Sequence, residues 1–123
     1  MLNERSKKNL IGVKPQLVKV IELAASRLPF VVTEGLRTPA KQKQLLAEKK
    51  TQTLESRHLT GDAVDIYCGS WEPKDFMPAL REIYKAGNEL GIKLRFGCNW
   101  SSNPDDKTSS KFKDYPHIEL PKS

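Results

Sequence analysis

The sequence predicts an α+β domain in which a small antiparallel sheet is flanked by helices. Helical and strand-like segments alternate in the order helix, strand, helix, strand, helix, strand, strand, and the strands are short with long irregular links. A doubly wound parallel sheet is the less favoured alternative, because residues 51–67 resemble a tight turn-back instead of a helical crossover. The length of 123 residues fits one domain, spanning residues 1–123.

The first half of the chain predicts two helices around one strand. A helix over 15–28 is indicated by apolar residues at helical spacing and by a proline in its first turn. Aromatic and β-branched residues at 30–33 predict a buried strand that leads to a turn at Glu34 and Gly35. Thr38 is a candidate N-cap for a second helix over 39–48, which begins with a proline.

A second strand is predicted at 63–67, where β-branched and aromatic residues follow a polar connector at 51–57. The Thr-Gly-Asp turn at 60–62 would bring His58 back beside this strand. Alternation along the strand places Asp65 on the face opposite its two apolar neighbours.

The last third of the chain predicts one helix, a long loop and two strands. Apolar spacing indicates a helix over 76–90 that stops at Gly91, and Pro78 predicts that its regular part begins only there. A strand is expected at 93–96, and the turn-forming residues of 97–113 predict a long surface loop of the kind that often carries function. The final strand is expected at 116–120.

Both histidines of the chain lie near carboxylates, in the stretches SRHLTGDAVDI and DYPHIEL. A catalytic zinc ion usually has three protein ligands and keeps its fourth position for water, and His58, Asp65 and His117 supply that number. The alternative is that each histidine makes an ordinary hydrogen bond to a nearby carboxylate. The spacing alone leaves both interpretations open.

Water attack on an amide also requires a base that takes the proton without occupying the metal. Asp114, three residues before His117, is the favoured candidate, and Glu119 competes because it shares a strand face with His117. A developing oxyanion needs a fixed positive donor, and Arg37, between a strand end and a helix start, suits that role.

The composition limits the classes of partner that the protein is expected to bind and the cellular compartment in which it is expected. A net charge of +6 favours acidic partners, but the basic residues are scattered and few aromatics interleave them, so no nucleic-acid site is predicted. No segment is long and apolar enough for a signal peptide or membrane span, which predicts a cytoplasmic protein without membrane insertion. Cys68 and Cys98 are expected to be reduced, buried and unpaired.

These motifs resemble those of the zinc D-alanyl-D-alanine carboxypeptidase and dipeptidase superfamily. SRHLTGDAVDI matches its SxHxxGxAxD pattern and DYPHIEL its (E/D)xxH pattern, and VTEGLRTPAKQ resembles its EGxRT segment. The resemblance covers nearly the whole chain and is greatest to bacteriophage endolysins, the L-alanyl-D-glutamate peptidases. An aspartate at the base position, where many relatives have glutamate, agrees with that branch.

The resemblance implies a role for each matching residue. His58, Asp65 and His117 would bind Zn²⁺, Asp114 would be the general base, and Arg37 would steady the scissile carbonyl. Two further positions are implied to contact substrate, namely Ser56, which helps hold the substrate or the site, and Trp100, which lines it.

The resemblance also implies the fold of the hedgehog signalling domain and a zinc-dependent endolysin that acts on bacterial peptidoglycan. The bond cut would join L-alanine to D-glutamate, with the D-alanyl-D-alanine bond as the alternative and a non-catalytic zinc-containing binding module as a second alternative. The enzyme would be a monomer that stays in the host cytoplasm until a holin opens the membrane.

Overall fold

The computed structural model describes residues 2–48, 57–107 and 113–121. Within these residues four helices and four strands follow one another, with a 3₁₀ turn at Arg57–Thr60. In chain order they are α1 (Glu4–Asn9), α2 (Pro15–Ala25), β1 (Val31–Glu34), α3 (Pro39–Ala47), β2 (Ala63–Tyr67), α4 (Pro73–Leu90), β3 (Arg95–Phe96) and β4 (His117–Glu119). The strands form one antiparallel sheet, so the predicted α+β class with a small antiparallel sheet is confirmed.

The sheet has the strand order β1-β2-β4-β3, which places the last strand of the chain between β2 and β3. In the register between β2 and β4, Asp65 lies opposite His117 and Ala63 lies opposite Glu119. Arg95 of β3 lies opposite the same Glu119. Directly opposed residues point to the same side of a sheet, so this register collects charged side chains on one face.

The other face of the sheet belongs to the hydrophobic core. Strand residues that alternate with the polar ones are fully buried, and they form one cluster with the apolar sides of α2 and α4: Val32, Val64, Ile66, Phe96 and Ile118. Burial of each such side chain stabilises the fold by roughly 1.5–3 kcal/mol. The core therefore fixes the sheet on which the charged side chains stand.

Most predicted elements are present, with small differences in their ends. β2 has the predicted bounds, and Thr38 caps α3 by accepting a hydrogen bond from the backbone N–H of Lys41 at 3.2 Å. α2 ends at Ala25, three residues earlier than predicted, and a turn follows in which the N–H groups of Arg27 and Leu28 both donate to the carbonyl oxygen of Ala24. β1 begins one residue later than predicted, and β3 has only two residues.

The predicted start of the long helix is wrong. α4 begins at Pro73, and Pro78 lies inside it. A proline within a helix removes the hydrogen bond to the carbonyl four residues earlier, here that of Lys74. Both Pro78 and Lys74 are exposed, while Phe76, Ala79 and Leu80 on the inner side are buried, so apolar burial outweighs the lost bond.

The short helix α1 was not predicted, although Asn3 caps it by accepting a hydrogen bond from the N–H of Ser6 at 2.8 Å. The two cysteines are free, as predicted, with Cys98 buried and Cys68 half-buried. Burial raises the pKa of both thiols to about 11, which keeps them protonated. None of the helices within the described ranges is both long and apolar enough to cross a bilayer.

Candidate metal centre

Three side chains from separate parts of the chain converge at the polar face of the sheet. Asp65 and His117 are opposed residues of β2 and β4, and His58 lies in the 3₁₀ turn that precedes β2. One ligand atom from each of the three lies within 4.8 Å of the others. The antiparallel pairing thus brings the two sequence motifs together.

The spacing of these atoms fits a tetrahedral zinc ion. Zn–N and Zn–O bonds of 2.0–2.2 Å at tetrahedral angles require ligand atoms about 3.4 Å apart. The Oδ1 atom of Asp65 lies 3.3 Å from Nε2 of His58 and 3.4 Å from Nδ1 of His117. Two imidazoles and one carboxylate are also a usual donor set for catalytic zinc. The residues present therefore fit such an ion.

The second nitrogen of each imidazole is held by a hydrogen bond. Nδ1 of His58 donates to the carbonyl oxygen of Gly35 at 2.9 Å, and Nε2 of His117 donates to a carboxylate oxygen of Glu119 at 2.8 Å. These bonds leave Nε2 of His58 and Nδ1 of His117 facing Asp65. Fixing the tautomer in this way orients a histidine for metal binding.

The charges in the cluster favour an ionised Asp65. Burial raises the pKa of this carboxyl, but hydrogen bonds to His117 and His58 outweigh burial and lower the pKa below its usual range. For His117, burial lowers the pKa of the imidazole, whereas hydrogen bonds to Asp65 and Glu119 raise it to about 9. The cluster thus presents one anionic oxygen between two imidazoles.

Asp114 lies in the turn just before β4. Its backbone N–H donates to the carbonyl oxygen of Gly97 at 2.8 Å, and its carbonyl accepts from the N–H of His117 at 3.1 Å. The side chain is half-buried. Burial and the charge of Asp65 raise the pKa of the Asp114 carboxyl, while His117, His58 and Arg37 act in the opposite direction. Asp114 is therefore electrostatically coupled to the three candidate ligands.

Arg37 follows β1, and its backbone N–H donates to the carbonyl oxygen of His58 at 2.9 Å. The guanidinium is largely buried and is held by two side chains. Nε donates to the carboxylate of Glu34 at 2.7 Å and Nη1 donates to Oε1 of Gln42 at 2.6 Å, while Nη2 also contacts Glu34. These contacts fix the cation beside the turn that carries His58.

Trp100 lies against the same cluster, with its ring centroid 5.5 Å from that of His117. Its φ angle of 58° is in the left-handed region, which is uncommon for a bulky residue. The guanidinium carbon of Arg95 lies 5.1 Å from the centroid of the indole, in cation–π range. Trp100 thus forms a half-buried wall beside His117.

Ser56, the remaining predicted site residue, lies outside the described residues. Several residues that shape the site were not assigned a role from the sequence. Glu34 and Gln42 hold Arg37, and Gly97 allows the close approach of Asp114 and His117. The turn predicted at Glu34 and Gly35 brings residues three apart close together, so the contact of Glu34 with Arg37 has a local signal, whereas the other two contacts depend on the tertiary fold.

This small α+β domain holds two buried histidines and a half-buried aspartate at metal-compatible spacing beside a further carboxylate, which is the donor set of the metal-dependent hydrolase class. The model of the family "Phage L-alanyl-D-glutamate peptidase" matches residues 1–121. The chain belongs to this family.

Two relatives agree with that membership. The chain is 35% identical to the L-alanyl-D-glutamate peptidase of Escherichia phage T5 over an alignment of 130 positions, which covers 95% of each protein. The crystal structure of the L-Ala D-Glu endopeptidase ChiX from Serratia marcescens superposes with a TM-score of 0.82 at 38% identity, covering 98% of this chain and 90% of ChiX. The predicted family resemblance is confirmed.

Proposed function

We propose that this protein is a zinc-dependent peptidase that hydrolyses the L-alanyl-D-glutamate amide in the stem peptide of bacterial peptidoglycan. The observation that carries the proposal is the meeting of His58, Asp65 and His117, with metal-compatible spacing, in a chain of the L-alanyl-D-glutamate peptidase family. The choice of this bond over the D-alanyl-D-alanine bond is supported by the phage T5 enzyme and ChiX, which are an L-alanyl-D-glutamate peptidase and an L-Ala D-Glu endopeptidase.

When bound, a zinc ion would supply Lewis acidity that makes water nucleophilic near neutral pH. His58 and His117 would hold it through the nitrogens that face Asp65, and the ionised Asp65 would be the anionic ligand. The hydrogen bonds of the opposite ring nitrogens keep both imidazoles oriented before any ligand arrives.

Asp114 is proposed as the general base and acid. Its carboxylate would take the proton of the attacking water and deliver it to the leaving nitrogen of D-glutamate. The raised pKa of Asp114 suits this exchange, because a more basic carboxylate takes a proton more readily than an ordinary aspartate. It does not belong to the three-residue cluster that fits the metal.

Arg37 is proposed to stabilise negative charge that develops on the scissile carbonyl oxygen. Its guanidinium is already held by Glu34 and Gln42, so it needs little reorganisation during the reaction. Trp100 and Ser56 are proposed to contact the substrate, the first as an apolar wall beside His117.

The proposed working context follows from the substrate. The enzyme would remain in the host cytoplasm as a monomer and reach peptidoglycan after holin-dependent release, without binding nucleic acid or inserting in the membrane. Its net charge of +6 would favour an anionic cell wall.

The proposal is tested by metal analysis and by digestion of purified sacculi. We expect about one zinc per chain, loss of activity on chelation, and new N-terminal D-glutamate in the products identified by mass spectrometry. New D-alanine ends would instead support the D-alanyl-D-alanine alternative.

The Asp114→Asn substitution tests the proposed base. It should retain zinc while lowering kcat by at least about 100-fold, because general acid–base catalysis contributes that much. The matched control is Asp105→Asn, at an exposed aspartate paired with Arg81. If Asp114→Asn digests sacculi normally, the base assignment is wrong, and if no cleavage occurs with any form, the non-catalytic binding module is favoured.

A further inference from the structure

Glu119 is a buried carboxylate in the middle of the sheet, with only 5% of its surface exposed. Burying an ionised group is costly unless opposite charges and hydrogen bonds surround it. The structure provides both, because β4 lies between β2 and β3 and Glu119 is opposed by residues of each.

The two carboxylate oxygens of Glu119 have separate partners. Oε1 accepts the hydrogen bond from Nε2 of His117 at 2.8 Å. Oε2 faces two guanidinium groups, with Nη1 of Arg95 at 3.6 Å and Nε of Arg57 at 4.0 Å. The carboxylate therefore connects His117 to a pair of cations.

The arginines are themselves held in place. Nη2 of Arg57 donates to the carbonyl oxygen of Leu120 at 3.0 Å and lies 3.6 Å from the carboxylate of Asp62. Nε of Arg95 donates to the carbonyl oxygen of Trp100 at 3.2 Å. Glu119 thus sits in a network that spans the sheet from the turn before β2 to the loop after β3.

We propose that Glu119, oriented by Arg57 and Arg95, is a positioning residue that fixes the ring of His117 so that Nδ1 points into the metal centre. This inference rests on the proposed metal site. A carboxylate that accepts from the distal N–H of a metal-binding histidine selects the tautomer and increases the basicity of the ligating nitrogen.

This geometry separates Glu119 from the role of general base. Its oxygen meets Nε2, whereas the nitrogen that faces Asp65 is Nδ1, on the other side of the imidazole ring. A group behind the ring has no direct path to a water molecule on the metal side. This position supports Asp114 over Glu119 as the proposed general base.

The network also connects the metal centre to the wall formed by Trp100. Arg95 contacts both the backbone oxygen and the ring of Trp100, and the same guanidinium faces Glu119. Displacement of Arg95 would affect the orientation of His117 and the position of Trp100 together.

The test compares the zinc affinity of Glu119→Ala and Glu119→Gln with that of the parent protein, by competition with a chromophoric chelator. We expect a 10- to 100-fold loss of affinity for Glu119→Ala, the size usual for removing such a partner. Glu119→Gln should lose less, because its amide oxygen still accepts from Nε2. A zinc affinity that decreases in the order parent protein, Glu119→Gln, Glu119→Ala is the result expected of a positioning residue.

A second measurement keeps the inference testable if the Ala variant does not fold. The nitrogen-15 chemical shifts of the His117 ring report its tautomer. In the zinc-loaded parent protein, the ring proton of His117 should be on Nε2. This proton should exchange with water faster in Glu119→Gln than in the parent. Glu89→Gln and Glu89→Ala are matched controls, since Glu89 is exposed and pairs with Arg27; they should bind zinc like the parent.

The outcomes are distinguishable from failure of the proposed function. If the parent protein binds no zinc, the proposed metal site itself is wrong. A parent that binds zinc, together with Glu119 variants whose affinity and His117 signals equal those of the Glu89 controls, would overturn the positioning role alone.

Discussion

At the scale of single residues, the candidate site depends on how neighbours alter each titratable group. The pKa of Asp65 is lowered because its interactions with His117 and His58 outweigh burial, whereas Asp114 has a raised pKa because it is partly buried near the charge of Asp65. The pKa is thus lowered for one carboxyl group of the site and raised for the other. The first suits metal binding and the second suits proton transfer.

The pH dependence of activity should follow from the pKa of Asp114. The base must be ionised, so kcat/KM is high above its pKa and falls as the pH drops through that value. Arg37 lowers this pKa, so Arg37→Gln should move the acidic limb of the pH profile to higher pH besides lowering the rate. The profile is measured on sacculi or on a soluble muropeptide.

Arg81→Gln is the matched control for this prediction, because Arg81 is exposed and pairs with Asp105. Its pH profile should coincide with that of the parent. An acidic limb that stays unchanged in Arg37→Gln would show that Asp114 does not determine it.

The sequence predicted the residues of the cluster better than their surroundings. Motif residues such as His58 and Asp65 are separated by a short turn, so local chain geometry was enough to bring them close. The contacts of Glu119 with Arg57 and Arg95 join three separate segments, and no local pattern indicates them. These contacts could be recognised only once the register of the strands was known.

At the scale of elements, that register is the decisive feature. Alternation predicted that His117 and Glu119 share one face of β4, and their hydrogen bond agrees with this, although all three residues of β4 are buried. Alternation could not predict which residues of the two strands are opposed. If one strand is shifted by two residues along its neighbour, each side chain stays on the same face of the sheet. The pairing of Asp65 with His117 is fixed by the core on the other face and by the turns.

Gly97, which follows β3, should be essential for the shape of the site. A Cβ atom there would lie 2.3 Å from the carbonyl oxygen of Asp114 and 2.8 Å from Cβ of His117. Gly97→Ala should therefore destabilise the fold by about 1–3 kcal/mol and also weaken zinc binding and activity. Thermal unfolding and chelator competition measure the two effects.

Gly91→Ala provides the comparison. Gly91 has a φ of 69° but open space around it, so this variant should lose about 1 kcal/mol of stability with zinc binding unchanged. Equal zinc affinity in the two variants would contradict a steric role for Gly97 in the site.

At the scale of the whole molecule, the excess of positive charge should assist binding to an anionic wall. Mobile ions screen such attraction, with a Debye length of about 10 Å at 0.1 M salt. We therefore expect the rate of sacculus lysis, followed by turbidity, to fall several-fold between roughly 20 mM and roughly 300 mM salt. An uncharged soluble peptide substrate should be cleaved at a rate that depends little on salt. Lysis that is insensitive to salt would show that the net charge does not contribute.

The position of β4 has a consequence for the timing of synthesis. This strand follows the other three in the chain, yet it is inserted between two of them, and it carries His117. A nascent polypeptide that has not yet emerged to that point lacks one of the three side chains of the cluster. The complete His-Asp-His cluster can therefore form only after β4 has left the ribosome and paired between β2 and β3.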